Sequence, residues 1–495
     1  MINNEFVDFK LEEELLKSIE LLNYKHPTEV QKQVIPAVLG RKDIIVKSQT
    51  GSGKTAAFAI PICQMIQWDD NKPQALVISP TRELALQVRE EIFNIGRFKR
   101  LKAAAIFGKS PFCDQEKELK QKTHVVVGTP GRIIDHLERG TLDTTNIKFL
   151  IIDEADKLLQ MGFIEQLEAI IESLPKERVT MLMSATMPAD IKKLCSKYMK
   201  NPIQIEVEET DSALERIRQE QYQAEQAEKF ELLKDILIVE NPDSCMIFCN
   251  TKQMVDEVYG ELENLRAPCR EIHGGMEQRD RLRAMEDFRK GLFRYLVATD
   301  VAARGIDIDD ITLVINYDVP QDIENYIHRI GRTGRAGNTG RAITFVSENE
   351  KKYLQEIRRF IGIEIPIRQR PDKELVNSSK PEFIDKMMSR QKIKEAKGAQ
   401  LNKDIMKLHI NAGKKTKMRP VDIVGTLCNI EGMTAEDIGI INVKDISTFV
   451  EILNNKGEMV LRKLQKTPIK GRLRTVSKVD NEMLSKRYTV RGRNK

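Results

Sequence analysis

The string TGSGKT at residues 50–55 has the residues needed to bind the phosphates of a nucleotide. It stands between an apolar run at 43–46 and a helix-compatible run at 56–66, which is the order strand, tight loop, helix. Glycines let backbone N–H groups close around phosphate oxygens, and the helix N-terminus adds a favourable field. Lys54 has the reach to contact the terminal phosphates, and Thr55 offers a hydroxyl to Mg²⁺. The loop therefore predicts binding of a nucleoside triphosphate.

A second string, IIDEAD at 151–156, places Asp153 and Glu154 after the apolar run 149–152. One of these carboxylates could hold the hydration shell of Mg²⁺ while the other polarises the attacking water. Alone, a glycine-rich turn before a helix is more often only a turn, and an acidic pair after a strand is usually solvated loop charge. The loop also opens with Ser48 where the usual P-loop has Gly. Both strings together, in βαβ order, favour hydrolysis of a nucleoside triphosphate over coincidence.

The charge of the chain is unevenly distributed. Residues 403–495 carry 20 Lys and Arg against 10 Asp and Glu, whereas the preceding residues carry 60 against 64. A basic excess confined to one end is the electrostatic footprint of a segment that binds a polyanion. A solvated basic tail has the same composition, so charge alone leaves both interpretations open.

Other features of the composition exclude several classes of protein. The chain contains no apolar run of about 18 residues, which is the length needed to cross a bilayer. Its first residues are acidic and amphipathic, unlike a signal peptide. Cys245 and Cys249 share one apolar strand, and no second pair completes a zinc site, so we expect buried free thiols in a reducing compartment. These features predict a cytoplasmic protein without membrane contact, and we expect a monomer.

The pattern of apolar runs predicts several domains in a chain of 495 residues. Residues 1–205 and 206–370 each alternate short strands with helices, which predicts two tandem α/β domains with parallel sheets and a cleft between them. Residues 371–402 form a polar, Lys-rich linker, helical or flexible, and 403–480 follow a βαββαβ order. Residues 481–495 are a basic tail. The predicted strands are DIIVK, ALVIS, AAAIF, VVVG, FLIID and TMLMS in the first domain, and CMIFCN, CREIH, YLVAT, LVINY and AITFV in the second.

Further short motifs follow one another in a fixed order, beginning with Phe6. They are NYKHPTEVQ (23–31), PTRELA (80–85), TPGR (129–132), SAT (184–186), IFCNT (247–251), ATDVAARGID (298–307) and HRIGRTGR (328–335). Over roughly residues 1–370 the chain resembles the DEAD-box family of ATP-dependent RNA helicases. The resemblance implies two RecA-like domains, ATP and Mg²⁺ as cofactors, and RNA as the partner.

The resemblance also implies roles at the nucleotide site. A Gln amide matches the donor and acceptor on one edge of adenine, so Gln31 is the expected reader, with Phe6 or Tyr24 as the stacking ring. Further nucleotide contacts are expected at Ser48, Gln49, Thr50, Gly51, Ser52, Gly53, Lys54, Thr55, Gly305 and Asp307. Arg332 and Arg335 are the expected arginine fingers, and Ser184, Thr186 and His328 are expected to couple the domains. Without its context, Gln31 would be a surface amide. The Ser184 to Thr186 turn would be a helix cap, and Arg332 and Arg335 would belong to a basic helix face.

By the same resemblance, a groove contacts the phosphates and sugars of a single RNA strand without reading its sequence. The expected residues are Thr81, Arg82, Gly108, Thr129, Arg132, Gln278, Arg279, Thr299 and Arg304. A bent single strand cannot remain in an A-form duplex, so the implied activity is local strand separation. The family often has Gly-Gly where this chain has Gly108-Lys109, and Lys109 could add a phosphate contact or change the loop.

The segment RPVDIVG at 419–425, followed by DIG at 437–439, resembles the RNA-binding domain of DbpA-type bacterial DEAD-box proteins. That resemblance implies a hairpin of large-subunit ribosomal RNA with an adjacent duplex as the substrate, and pre-ribosomal particles as partners in ribosome assembly. Phe449 is expected in the core rather than as a base-stacking platform. The candidate RNA contacts are a basic loop with Lys414, Lys415, Lys417 and Arg419, and a strand with Lys470, Arg472 and Arg474.

Alternative functions remain open at this point. The chain could be a general RNA chaperone, or a clamp that binds RNA and ATP without ribosomal RNA specificity or productive turnover. It could also be a DNA-directed helicase or translocase. Glu154, Arg332 and Arg335 argue against a clamp without turnover, and the motif set at 298–335 argues against DNA.

Overall fold

A computed structural model describes residues 5–48, 51–207, 216–300, 311–334, 339–389, 393 and 398–479. Six of the predicted site residues lie outside these ranges, namely Gln49, Thr50, Arg304, Gly305, Asp307 and Arg335. None of the helices described there combines the length and the apolar character needed to cross a bilayer.

The first sheet has seven parallel strands in the order β3-β4-β2-β5-β6-β1-β7. These strands are β1 Ile44–Lys47, β2 Ala75–Ile78, β3 Ala103–Ile106, β4 Val125–Gly128, β5 Phe149–Ile152, β6 Val179–Ser184 and β7 Ile203–Glu206. Their apolar runs are buried almost throughout, as expected of a parallel sheet covered by crossover helices. Because β5, β6 and β1 are neighbours and run in the same direction, the loops that follow them meet at one edge.

Nine α-helices lie in the described part of residues 5–207. They are α1 Glu13–Leu21, α2 Glu29–Leu39, α3 Lys54–Met65, α4 Arg82–Ile95, α5 Phe112–Leu119, α6 Pro130–Glu138, α7 Ala155–Gln160, α8 Ile164–Glu172 and α9 Ala189–Tyr198. On one face of the sheet, Leu76 and Leu150 pack with Ile133 of α6, Leu167 of α8 and Ile191 of α9. This packing fixes the strand ends from which the predicted motifs project.

The second sheet repeats the parallel arrangement in the order β10-β11-β9-β12-β13-β8-β14. Its strands are β8 Ile217–Gln223, β9 Cys245–Cys249, β10 Cys269–Ile272, β11 Tyr295–Thr299, β12 Leu313–Asn316, β13 Gly340–Val346 and β14 Ile367–Arg368. The helices are α10 Lys229–Glu240, α11 Lys252–Asn264, α12 Gln278–Arg289, α13 Ile323–Ile330, α14 Lys351–Ile361 and α15 Lys373–Met388. The two parallel-sheet, RecA-like domains predicted from the strand pattern are confirmed.

Alternate residues of β9 face opposite layers of helices. Met246 and Phe248 pack with residues of α12, α13 and α14, whereas Cys245, Ile247 and Cys249 pack with residues of α10 and α11. Both cysteines are buried and unbonded, as the sequence predicted. Burial raises the pKa of the Cys245 thiol well above its usual range.

A third sheet, antiparallel and four-stranded, lies near the C-terminus in the order β16-β17-β15-β18. Its elements are β15 Met406–Ile410, α16 Pro420–Cys428, β16 Ile438–Val443, β17 Thr448–Ile452, α17 Gly457–Leu464 and β18 Val476–Lys478. The predicted βαββαβ order is confirmed. The predicted last strand is too long at its start, because Lys470 and Gly471 both have a positive φ and form a turn. Arg472 and Arg474 therefore lie before β18 rather than within a strand.

The described residues form two compact units. One contains residues from 1–26, 93–101 and 397–495, and the other contains residues from 27–92 and 102–396. In the second unit, the linker predicted as helical or flexible contains α15, whose Phe383 and Met387 pack on the core beside α10. The helical alternative is thus correct for this part of the linker.

Candidate active site and nucleic-acid interface

The loop between β1 and α3 is built around glycines with left-handed backbone geometry. Gly51 has a φ of 89° and Gly53 a φ of 83°, which other residues rarely adopt. A Cβ at Gly53 would also lie 2.6 Å from Gln31 Nε2. The Ser48 hydroxyl, at the position where the usual P-loop has Gly, donates to Ser52 Oγ at 2.5 Å. The loop is therefore closed by serine hydroxyls and tightened by glycines.

Lys54 is buried at the first position of α3. Its ammonium donates to the Ser48 carbonyl at 2.5 Å. Burial lowers the pKa of Lys54 to about 8, and the carboxylates of Asp153 and Glu154 oppose that shift. An ammonium buried inside the loop is well suited to bind an anionic phosphate.

Asp153 follows β5 and is 4% exposed. Its Oδ1 accepts from the Glu154 N–H at 3.0 Å. Burial, together with repulsion from Glu154, raises the pKa of Asp153 above its usual range. Carboxylate and hydroxyl oxygens are the donors that Mg²⁺ prefers, and a cation would remove the cost of a buried anion. The donor set of Asp153 and Thr55 therefore fits Mg²⁺.

Glu154 adopts a left-handed backbone conformation, with a φ of 50° and a ψ of 52°, immediately before α7. Such geometry is strained for a residue other than glycine. Glu154 Oε1 lies 2.8 Å from Lys157 Nζ. The other oxygen, Oε2, is buried and has no hydrogen-bond partner among the described residues. One buried oxygen of the carboxylate can therefore accept a hydrogen bond or a proton.

The SAT motif is joined directly to the DEAD motif. Asp156 Oδ2 accepts from the N–H groups of Ala185 and Thr186, at 3.0 and 2.9 Å, and from the Thr186 hydroxyl at 3.2 Å. Ser184 Oγ accepts from the Asp156 N–H at 3.2 Å. The Ser184 carbonyl also accepts from the Ser48 N–H at 3.0 Å. The three loops that follow β1, β5 and β6 therefore form one hydrogen-bonded assembly.

The side chains of the three residues expected around adenine differ in their solvent exposure. Gln31 is 1% exposed, and its Nε2 donates to the Gly53 carbonyl at 3.2 Å while its Oε1 accepts from the Thr28 N–H. Phe6 is fully buried and packs on Phe9 and Tyr24. Tyr24 is only partly buried, so burial favours Tyr24 over Phe6 as a ring with an open face.

Two arginines in and after α13 are buried and hydrogen-bonded. Arg332 is 4% exposed, and its Nε donates to the His328 carbonyl at 3.1 Å. Arg329, which the sequence placed in the same motif without a role, donates to both oxygens of Asp300 and to Asn250 Oδ1. Arg329 therefore ties together the segments that follow β11 and β9, and it acts as a structural cation.

The expected RNA-binding residues form two described groups. Arg82 donates to Gln278 Oε1 at 2.8 Å, and the Gln278 amide donates to Glu83 at 2.9 Å. Arg132 donates to the Ser110 carbonyl and to Gln115 Oε1, both at 3.0 Å. Of the remaining expected residues, Thr81 caps α4, Gly108 lies beside Arg82, Thr129 precedes α6, Arg279 lies at the start of α12, and Thr299 ends β11.

The two basic segments of the C-terminal domain meet. Lys470 Nζ donates to the Lys417 carbonyl at 2.6 Å and lies 3.0 Å from Asp422 Oδ2. Arg419 pairs with the same carboxylate at 3.3 Å. Hydrogen bonds from Arg419 and Lys470 lower the pKa of Asp422 to about 2. We call this the basic surface, and its members are Lys414, Lys415, Lys417, Arg419, Lys470, Arg472 and Arg474.

Phe449 is buried, as predicted, but not in the main core of its domain. Val450 and Ile452 pack into that core, whereas Phe449 alternates to the other face of β17. There it contacts His409, with ring centroids 5.1 Å apart, and the ammonium groups of Lys407 and Lys444 lie over its ring. The face is covered rather than open for base stacking.

Three family models match successive parts of this chain. Residues 28–194 match the DEAD/DEAH box helicase model, 228–337 the helicase conserved C-terminal domain, and 407–478 the DbpA RNA binding domain. The chain is 55% identical to the ATP-dependent RNA helicase DbpA of Bacillus subtilis over 475 residues, 96% of this chain and 99% of that protein. The chain belongs to the DEAD-box ATP-dependent RNA helicases.

Other relatives agree with this assignment. The helicase is 44% identical over 355 residues to the DEAD-box ATP-dependent RNA helicase CshA of Bacillus subtilis, covering 72% of each chain. It is also similar to the solved structure of S. cerevisiae Dbp5 bound to RNA and ADP BeF3. That match has a TM-score of 0.68 and 32% identity, and covers 77% of this chain and 99% of the other. The resemblance drawn from the motifs is confirmed, including its DbpA-type C-terminal domain.

Three residues of the helicase site were missed at the level of sequence. Asp156 binds the SAT segment, Lys157 contacts Glu154, and Glu83 accepts from Gln278. Asp156 and Glu83 stand inside motifs that the sequence identified, so their motif membership was an available signal. Lys157 follows its motif directly, and only its spacing of three residues from Glu154 along a helix hinted at contact.

One further cluster of the helicase has metal-ligating side chains. The ligand atoms of Asp256, Glu271 and His273 lie within 4.8 Å of one another. His273 Nδ1 accepts from the Gly275 N–H at 3.1 Å, so its proton is on Nε2, which faces Asp256 at 3.1 Å. A histidine that binds a metal has the opposite pattern, because its second nitrogen donates. The cluster is therefore a hydrogen-bonded group and not a metal site.

Proposed function

We propose that this helicase anchors itself to a hairpin of large-subunit ribosomal RNA and uses ATP to separate a short duplex nearby, in ribosome assembly. The observation that supports the anchor is the basic surface, where two segments distant in sequence share Asp422. Exposed cations grouped on a domain that matches a DbpA RNA binding domain favour contacts with phosphates. The anchor would raise the local concentration of duplex at the helicase domains.

In the proposed reaction, Lys54 would bind the terminal phosphates, and Thr55 and Asp153 would hold Mg²⁺, Asp153 through water. The metal would neutralise charge on the phosphates as they are transferred. Glu154 accepts a proton from the attacking water through its unpartnered Oε2. Arg332 and Arg335 supply positive charge to the transferring group. Because these residues come from both halves of the chain, ATP and RNA would jointly favour the productive arrangement.

The anchor is tested by RNA binding to the full chain over a series of salt concentrations. K414E/K415E/R472E replaces three exposed cations of the basic surface and should weaken binding of the hairpin on the order of tenfold or more, with a flatter salt dependence. R462E/K463E changes exposed cations of α17 outside that surface and serves as the control. Equal affinity of the two variants for the hairpin would refute the anchor.

The role of Glu154 has a separate test. E154Q removes the proton acceptor while keeping the size of the side chain, so it should retain ATP and RNA binding and lose turnover. ATP hydrolysis by E154Q at the parent rate would show that Glu154 is not the general base.

A second function is a general RNA chaperone or an RNA clamp without ribosomal RNA specificity. The groove residues Arg82 and Arg132 favour it, because backbone contacts of this kind carry no sequence information. It predicts equal affinity for the hairpin and for an unrelated RNA of equal length. The anchored helicase predicts a preference for the hairpin.

A further inference from the structure

Lys157 is a buried ammonium that the proposed reaction does not use. It lies in α7, and its side chain is 4% exposed. Its Nζ lies 2.8 Å from Glu154 Oε1, whose side chain is 12% exposed. Burying a charged pair costs free energy unless the geometry and partners compensate. A buried ion pair that includes the proposed general base therefore suggests a functional role for Lys157.

Hydrogen bonding in this pair is incomplete on both sides. Neither Lys157 Nζ nor Glu154 Oε2 has a hydrogen-bond partner among the described residues, although both are buried. Buried polar groups left in this state are uncommon and often belong to sites that hold a water or ligand. The ion pair occupies one carboxylate oxygen and leaves the other for such a water.

The surroundings of Lys157 place it within the same site. Its backbone N–H donates to Asp156 Oδ1 at 3.0 Å, and Asp156 in turn binds the SAT segment. Ala155 and Leu158, on either side, pack into the core. The helix that carries Lys157 is therefore fixed, and the ammonium restrains a glutamate whose backbone is already in a strained conformation.

We propose that Lys157 is a positioning residue that holds Glu154 by one oxygen, so that the other oxygen accepts a proton from the attacking water. This inference rests on the proposed role of Glu154 as the general base. Because Lys157 would act through the carboxylate that it contacts, its loss should lower kcat. Displacement of a catalytic group by about 1 Å costs roughly a hundredfold in rate.

The experiment measures RNA-stimulated ATP hydrolysis by the full chain. K157M keeps the apolar stem and removes the charge, and kcat should fall about tenfold to a hundredfold. The KM for ATP and the RNA concentration at half-maximal rate should stay within about threefold. K157R should recover most of kcat. K193M removes an exposed lysine with the same spacing from its partner Asp190 and should leave all values unchanged.

A double-mutant cycle separates positioning from general damage. In the E154Q background, K157M should not lower the residual rate of hydrolysis, measured at high enzyme concentration, any further, because it acts through the missing carboxylate. A further loss of equal size, or a K157M enzyme with parental kcat, would overturn the proposal. A raised KM for ATP with unchanged kcat would overturn it as well, since Lys157 would then bind the nucleotide.

The outcomes also separate this inference from the proposed function. Parental turnover by E154Q would show that Glu154 is not the general base. An inactive E154Q together with a fully active K157M would show only that Lys157 has no positioning role. K157Q provides a second variant in case K157M folds poorly, and binding of a fluorescent ADP analogue reports an intact nucleotide site in each variant.

Discussion

At the residue scale, the nucleotide site depends on a few charged side chains that are buried and on the backbone geometry of the loops that carry them. Position 53 requires glycine for two reasons: its φ is left-handed, and a Cβ there would clash with the Gln31 side chain. The sequence could identify the loop because glycine spacing is a local signal. It could not reveal the Glu154–Lys157 pair, because an ion pair three residues apart is usually exposed and contributes little.

Lys109 is a residue-scale departure whose effect is measurable. It has a φ of 57° and is exposed, between Gly108, which lies beside Arg82, and Ser110, whose carbonyl accepts from Arg132. K109G should keep the loop, because glycine adopts this geometry without strain, and should lose one phosphate contact. We expect the slope of log affinity against log salt for single-stranded RNA to fall by about 0.7.

The control for this prediction is R41G, because Arg41 is also exposed and cationic with a φ of 56°. R41G should leave the salt dependence unchanged. If K109G binds RNA like the parent at every salt concentration, Lys109 makes no phosphate contact.

At the element scale, neighbouring strands decide which motifs meet. The order β5-β6-β1 brings the DEAD, SAT and P-loop segments to one edge of the first sheet. Apolar runs predicted these strands, and neighbouring strands of a parallel sheet have their carboxyl ends at the same edge. The start of β18 was mispredicted, because the positive φ of Lys470 reflects its contacts with Lys417 and Asp422, which the local pattern does not contain.

A buried histidine between elements predicts sensitivity to acid. His124 Nδ1 accepts from the Lys102 N–H at 2.9 Å, so Nε2 carries the proton and faces the Trp68 carbonyl at 3.1 Å. Burial lowers the pKa of His124 to about 4 from its usual 6.5. The unfolded chain therefore binds more protons between these values, and stability falls as the pH drops through them.

Between pH 7 and pH 5 this histidine should cost about 1–2 kcal/mol of unfolding free energy. Urea unfolding at the two pH values should show a smaller difference for H124Q than for the parent. H26Q, which changes an exposed histidine, is the control. An H124Q protein with the parental difference would show that His124 is not responsible.

A second element-scale prediction concerns the unit made of residues from 1–26, 93–101 and 397–495. Arg97 lies 2.7 Å from Glu451 of β17, and the two side chains are 5% and 9% exposed. Arg97 also donates to Asn402 Oδ1 at 2.9 Å. E451Q leaves the guanidinium without its charge partner and should lower the unfolding free energy by about 3 kcal/mol.

Replacing both partners, in R97M/E451M, should recover much of that loss, because a well-packed apolar pair avoids the cost of burying charge. Urea unfolding of the parent, R97M, E451M and R97M/E451M gives the coupling energy. A cost below about 1 kcal/mol for E451Q would place this pair among surface ion pairs and contradict its burial.

At the scale of the whole molecule, the motif order predicted the family, and the pattern of apolar runs predicted the two parallel-sheet domains and the C-terminal βαββαβ domain. Motif order is a global signal, since each motif is weak and only their sequence along the chain is specific. The contacts that join Arg82 to Gln278, or Arg419 and Lys470 to Asp422, depend on the tertiary fold. These could be read only from the structure.

The central claim is that the C-terminal domain directs ATP hydrolysis to one class of RNA. The most direct measurement is the ATPase rate of the full chain with no RNA, with a generic single strand, and with a ribosomal fragment that contains the peptidyl-transferase-proximal hairpin. The account predicts the strongest stimulation by the fragment, and K414E/K415E/R472E should lose this advantage while keeping the rate with generic RNA. Equal stimulation by every RNA would contradict the claim and reduce the domain to a non-specific tether.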